Sequence, residues 1–199
     1  FKLLNVICDQ QTMSSGVSGD SEGSLSSVSF SDMKNSGEIL GLYNSNVSIK
    51  DLNIKIRGRQ KGVVFNRGEY SVTDSKFYFG GGDIETVPDI NNPARGIVAY
   101  KNTQLSVASS TVQGLGYGIH NFGGEVKIAS STLEHNDIAV FQTPLAQVSI
   151  DYGVGGDVSN SSDLNDLLTL SGSRILSNTF DIKNDILEPI NAQGVWWGG

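Results

Sequence analysis

The sequence predicts an all-β solenoid, and three observations carry that prediction. Residues 96–150 speak one pattern nearly three times, as GIVAYKNTQLSVASSTVQGLGY, GIHNFGGEVKIASSTLEHNDI and AVFQTPLAQVSI. Gly96, Gly118 and Ala139 open the copies, a period of 22 and then 21 residues. A repeat of that length marks a chain whose units stack on their neighbours. Each unit also carries an apolar-x-apolar pair and, five residues after it, one apolar follower. Finally, the apolar residues alternate with period 2, and the long 3.6-period runs of a helical solenoid are missing. Three short strands per coil of 21–22 residues, one side turned inward, make a parallel β-helix.

Residues 1–23 open with an apolar strand (Leu3, Leu4, Val6, Cys8) and continue into the polar, turn-rich QQTMSSGVSGDSEGS, which reads as a loop. Coils occupy residues 24–182. Leu25 with Phe30 is a degraded first copy. The pairs are Val47/Ile49, Tyr70/Val72, Leu105/Val107, Val126/Ile128, Val148/Ile150 and Leu168/Leu170. The followers are Ile54, Phe77, Val112, Leu133 and Ile175, and Val148/Ile150 lacks a clean one.

Between pair and follower lies a small polar corner: Lys50-Asp51, Thr73-Asp74, Ala108-Ser109, Ala129-Ser130, Ser171-Gly172. Asp and Gly suit it because they tolerate unusual backbone angles. Ser75, Ser110, Ser131 and Ser173 recur beside it, which predicts a stacked serine column lending hydroxyls to the turn.

A third strand opens each coil at Gly41-Leu42, Gly62-Val63, Gly96-Ile97, Gly118-Ile119, Ala139-Val140 and Asp181-Ile182. Insertions fall at 80–95 and 151–167, and residues 183–199 close the stack. The whole is read as a single domain, 1–199, of about seven coils.

VSIKDLNI, LSVASSTV, VKIASSTL, GIVAY and GIHNF resemble the repeat of the right-handed parallel β-helix proteins of the pectin-lyase-like superfamily. INAQGVWWGG is similar to the Trp-Trp-Gly segment that often ends such stacks, so Trp196 and Trp197 are expected to lid the last coil; a sugar-stacking platform is the alternative. The resemblance implies fold far more than activity, since the superfamily holds lyases, hydrolases, epimerases, tailspikes and adhesins. It also implies that an active cleft would lie along the opening strands.

On those strands Leu42, Val63, Ile97, Ile119, Val140 and Ile182 are read as inward. Tyr43, Val64, Val98, His120, Phe141 and Lys183 are then outward, as are Ser45, Asn66, Tyr100, Phe122 and Thr143 two residues on. Neither outward column holds Asp or Glu, so the paired acids of glycosidic hydrolysis and the carboxylates of a calcium-dependent lyase are missing from this face. The Arg-x-Lys of a polygalacturonase is missing too, because Arg174 is followed by Ile-Leu.

The candidate ligand residues are instead Tyr43, Tyr100, His120, Phe122 and Phe141. Such rings stack sugars or meet a partner protein, or they simply brace neighbouring coils. His120 with Tyr117 is a weak catalytic candidate for uronate epimerisation or elimination; the plainer reading is an exposed structural histidine. His135 sits at a solvated turn.

Asp83, Glu85 and Asp89 are weak Ca²⁺ candidates in a solvated loop, and no other cofactor is called for. Arg57, Arg59, Lys61 and Arg67 form a small basic group in an acidic chain, by default a solvated turn. Asn46 and Asn160 head sequons at expected turns.

A net charge of −7 argues against nucleic acid or an anionic membrane as partner. No run of about 18 apolar residues would span a bilayer. The lone Cys8 excludes an internal disulfide framework and reads as a small buried hydrophobe. The expectation is a non-catalytic β-helix module of a larger secreted or cell-surface protein, binding a polysaccharide or surface protein or acting as a rigid stalk. The alternative is a polysaccharide-active enzyme using the Gly96–Phe141 face.

Overall fold

The computed structural model describes residues 2–4, 7–9, 15–31, 33, 37–80, 93–144, 168–186 and 189–198, with side chains from Glu22 onward. Nineteen strands and no helix occur among the described residues. A partial first coil holds β1 (Lys2–Leu4) and β2 (Ile7–Asp9). The next two coils are long strands that turn their corners without a break, β3 (Ser15–Ser31) and β4 (Glu38–Ile56).

Five three-strand coils follow. They are β5 (Lys61–Asn66), β6 (Gly68–Thr73) and β7 (Lys76–Phe79); β8 (Arg95–Tyr100), β9 (Thr103–Ala108) and β10 (Thr111–Gln113); then β11 (Tyr117–Phe122), β12 (Glu125–Ala129) and β13 (Thr132–Glu134). Last come β14 (Ile138–Gln142), β15 (Leu168–Ser171) and β16 (Arg174–Leu176), and β17 (Phe180–Asn184), β18 (Ile190–Gln193) and β19 (Trp196–Gly198). Every strand pairs in parallel with its counterpart one coil away, so three stacks of strands enclose one core. The chain is a parallel β-helix.

The polar stretch read as a loop is strand from Ser15 onward. Ser15–Ser18 pair with Leu40–Tyr43, and Ser21 onward pairs with Ser45 onward after a register shift. A ready-made sheet edge satisfies the backbone there and overrides weak strand propensity. Leu25 and Phe30 do align with Ile49 and Ile54, as the degraded copy predicted. Cys8 lies in register with Phe30. The pair Val148/Ile150, the sequon at Asn160 and most of both insertions lie outside the described residues.

The corner between pair and follower is one left-handed column. Ser27, Asp51, Asp74, Ser109, Ser130, Gly172 and Gly194 all have φ between 49° and 61°. Asp and Ser can hydrogen-bond locally there, which makes them tolerable where bulkier residues are strained. Beside it the predicted serine column is a ladder. Ser75 N–H donates to Ser110 Oγ at 3.1 Å, Ser110 N–H to Ser131 Oγ at 3.2 Å, and Ser131 N–H to Ser173 Oγ at 3.2 Å. Ser75, Ser110, Ser131 and Ser173 each donate to the carbonyl two residues back.

The four buried serine hydroxyls on this corner are thereby all hydrogen-bonded. Ser131→Ala leaves the Ser110 N–H without its acceptor, and we expect a loss of about 1–3 kcal/mol by urea denaturation. A change within experimental error would show the column to be ornamental.

Two amide ladders have no counterpart in the sequence reading. Asn136 accepts from Leu115 N–H at 3.1 Å, and Asn178 accepts from Asn136 N–H at 2.9 Å, at the corner before the opening strands. On the inward side of those strands Leu42, Phe65 and Ala99 give way to Asn121, Gln142 and Asn184 in one column. Asn121 Nδ2 donates to Gln142 Oε1 at 3.1 Å, and Gln142 Nε2 to Asn184 Oδ1 at 3.4 Å. Each amide both donates and accepts, so such a column can continue through the interior without leaving a polar group unmet.

At the end of the stack Trp197 extends the Leu133–Ile175 column but stays 46% exposed, and Trp196 is 66% exposed. The pair covers the core end only in part.

Candidate functional site

The opening strands present two outward columns, as expected, but with one error of register. Leu40, not Leu42, stands level with Val63, and Gly41 pairs with Val64. Tyr43 therefore belongs with Asn66, Tyr100 and Phe122, two residues along from Val64, Val98, His120, Phe141 and Lys183. Gly41-Leu42 looks like the other Gly-Ile openings, and no sequence signal marks the slip.

The larger correction is burial. His120 is 4% exposed, Phe122 5% and Phe141 7%; Val64, Val98, Ser45 and Thr143 are buried as well. Val64, Val98 and Phe122, with Tyr43 and Tyr100 against them, form a second apolar cluster separate from the core. The Tyr100 and Phe122 rings stack at 5.2 Å, and His120 lies 3.8 Å from the Phe122 ring and 4.9 Å from that of Phe141. These rings brace one another and offer no open ridge.

His120 is consequently no exposed structural histidine. Its Nε2 lies 2.9 Å from Thr143 Oγ1, and Nδ1 meets no hydrogen-bond partner among the described residues. Burial, aided by the positive charges of Arg95 and Lys61, pushes its pKa down to about 2, so the imidazole is neutral at any ordinary pH.

Arg95 and Lys61 are themselves buried in one column with Glu38 and Tyr117, so Lys61 is not part of a solvated basic turn. The Arg95 guanidinium lies 5.7 Å from the Tyr117 ring, and that ring meets His120 edge-on at 5.0 Å. Burial raises the Tyr117 hydroxyl above its ordinary pKa. Tyr43 is raised too, by burial and then by its hydrogen bond to the Glu38 carboxylate. Asp83, Glu85 and Asp89 lie outside the described residues, and no metal-holding group of acids, His or Cys occurs among the described ones. His135 is an exposed corner residue with φ 55°, as the sequence suggested.

An open site lies elsewhere, on the middle strands. A groove of about 700 Å³ crosses β3, β4, β6, β9 and β12. Two outward columns line it. One is Glu22, Asn46, Glu69, Gln104 and Glu125; the other is Ser24, Ser48, Ser71, Ser106 and Lys127. Strand alternation puts them there: Val47, Tyr70, Leu105 and Val126 point inward between the two columns.

The groove is held from beneath. The Tyr70 hydroxyl donates to the Arg67 carbonyl at 2.7 Å and lies 3.2 Å from Ser45 Oγ. Asn46 Oδ1 accepts from Glu69 N–H at 3.0 Å, which ties two rungs together. Lys127 and Glu125 form a 2.6 Å ion pair at one end. Asn46 is thus a strand residue of this groove and not a turn residue.

The signal for the groove was in the sequence: Ser48, Ser71 and Ser106 are the middle residues of the apolar-x-apolar pairs. What it lacked was any sign of which outward face is covered.

No family model and no curated protein matches this chain. Among solved structures the chain is similar to the periplasmic alginate epimerase AlgG, with TM-score 0.52 and 13% identity, and to a point mutant of that enzyme, with TM-score 0.59 and 13% identity. In both cases 96% of this chain is covered but only 58% of the other. At that identity the likeness bears on fold alone, and it agrees with the parallel β-helix. Among the described residues no helix is long and apolar enough to cross a membrane.

Proposed function

We propose that this chain is an extracytoplasmic β-helix that binds a polysaccharide in the middle-strand groove. One observation carries the reading: the groove is open across five coils, and its two outward columns present hydroxyls, carboxamides and carboxylates, with Lys127 at one end. Such groups match the hydroxyls of a sugar chain, and the rigid strands beneath hold them in place before the ligand arrives. The periplasmic alginate epimerase that shares the fold supplies the analogy for a carbohydrate ligand and an extracytoplasmic location, and the analogy is one of fold. The reading requires Asn46 to be unglycosylated, because a glycan there would occupy the groove.

A glycan array probed with the purified chain should return polysaccharide ligands. N46A/Q104A should weaken binding about tenfold while circular dichroism stays unchanged. Equal binding by the double variant, or none by the native chain, would refute the proposal.

A second reading rests on His120. A uronate carboxylate bound beside Arg95 and Lys61 would offset the charges that help hold the His120 pKa down to about 2, and only then would the imidazole, edge-on to Tyr117, be basic enough to remove the proton α to that carboxylate. At 4% exposure a substrate reaches it only if its surroundings open. Proton exchange into polymannuronate, followed by NMR and lost in H120Q, is the result this reading needs.

A further inference from the structure

Resting on the groove as a sugar-polymer site, we infer that the polymer lies along the solenoid axis, one sugar to each coil, and carries amines in place of carboxylates. Parallel strands stack about 4.8 Å apart. One extended pyranose advances by a similar length, so a polymer laid across the strands stays in step with the coils. The groove spans five coils, and each supplies one residue to each column.

The first column alternates in charge. Glu22, Glu69 and Glu125 occupy every second coil, with Asn46 and Gln104 between them. Lys127 offsets Glu125 at one end, which leaves the centre of the groove negative around the exposed Glu69. The chain as a whole carries −7. A polyuronate entering this field is repelled twice, by the groove and by the net charge. An ammonium group on the sugar meets a carboxylate with a charge-assisted hydrogen bond, and the intervening carboxamides suit uncharged sugars. The epimerase likeness would suggest a uronate; the groove's own side chains point the other way.

Calorimetric titration with oligomers of glucosamine, N-acetylglucosamine and mannuronate of increasing length tests this. Glucosamine oligomers should bind tightest, gain affinity up to the fifth sugar and then level off. Added salt should weaken them. E69Q should lower their affinity about threefold and make it less sensitive to salt. If mannuronate or N-acetylglucosamine binds as tightly as glucosamine, or affinity levels off at two sugars, the inference is overturned while the groove reading survives. If none of the three series binds, the inference falls, and the groove reading falls with it only when the glycan array also returns no ligand.

Discussion

Lowering the pH from 6.5 to about 4.5 should remove about 2 kcal/mol of stability through His120 alone. In the unfolded chain the imidazole takes up a proton as the pH falls below 6.5. In the folded chain burial and the charges of Arg95 and Lys61 keep it neutral down to about 2. The unfolded state therefore binds more protons throughout that interval. The contribution is whole above 6.5 and declines as the pH drops. Urea midpoints of the native chain and H120Q, compared over this range, isolate the imidazole from the carboxylates that titrate alongside it. Parallel pH profiles for the two proteins would sink the idea. The same experiment bears on the second functional reading, because an imidazole held neutral down to about 2 in the free protein is a weak base until a bound carboxylate offsets the charges around it.

Gly68→Ala should cost about 3 kcal/mol or more. Gly68 begins β6 at φ +115°, where an L side chain is strained, and an added Cβ would sit 2.1 Å from the Ser45 carbonyl oxygen. Backbone cannot yield as a side-chain tip can. Moving Ser45 disturbs the Tyr70 hydroxyl and, through it, the floor under Glu69. Sugar binding should fall together with stability. Gly123→Ala is the control: φ is +87° there, but nothing lies within 4 Å of the new Cβ. It should cost about 1 kcal/mol and spare binding. Equal losses at the two sites would show that strain in φ, and not the contact with Ser45, decides the outcome.

Much of the fold was legible because a β-helix repeats its physics. Val107, Ile128 and Leu170 fill one inward column, and Ser109, Ser130 and Gly172 one left-handed corner, so each coil confirms the reading of the next. Register failed where the repeat's own signature pointed to the wrong frame. Gly41-Leu42 matches the Gly-apolar opening of the other coils, yet Ile39-Leu40 is what stands level with Gly62-Val63, and only the pairing of β4 with β5 shows it.

The inward amides were missed for a different reason. Asn121 and Gln142 look like surface residues in a strand until each is seen to satisfy the next. Side-chain alternation gave the parity of Phe122 and Phe141 correctly but not their exposure, which depends on what packs outside the sheet.

The serine rungs also bear on how the molecule carries load. The bonds from Ser75 to Ser110, Ser131 and Ser173 run from coil to coil, parallel to the solenoid axis. Tension applied along that axis meets these rungs in series, so the end coil peels first and the chain lengthens in coil-sized steps. A load across the axis meets many rungs at once. The same stack is thus compliant when drawn out lengthwise and stiff when pressed from the side.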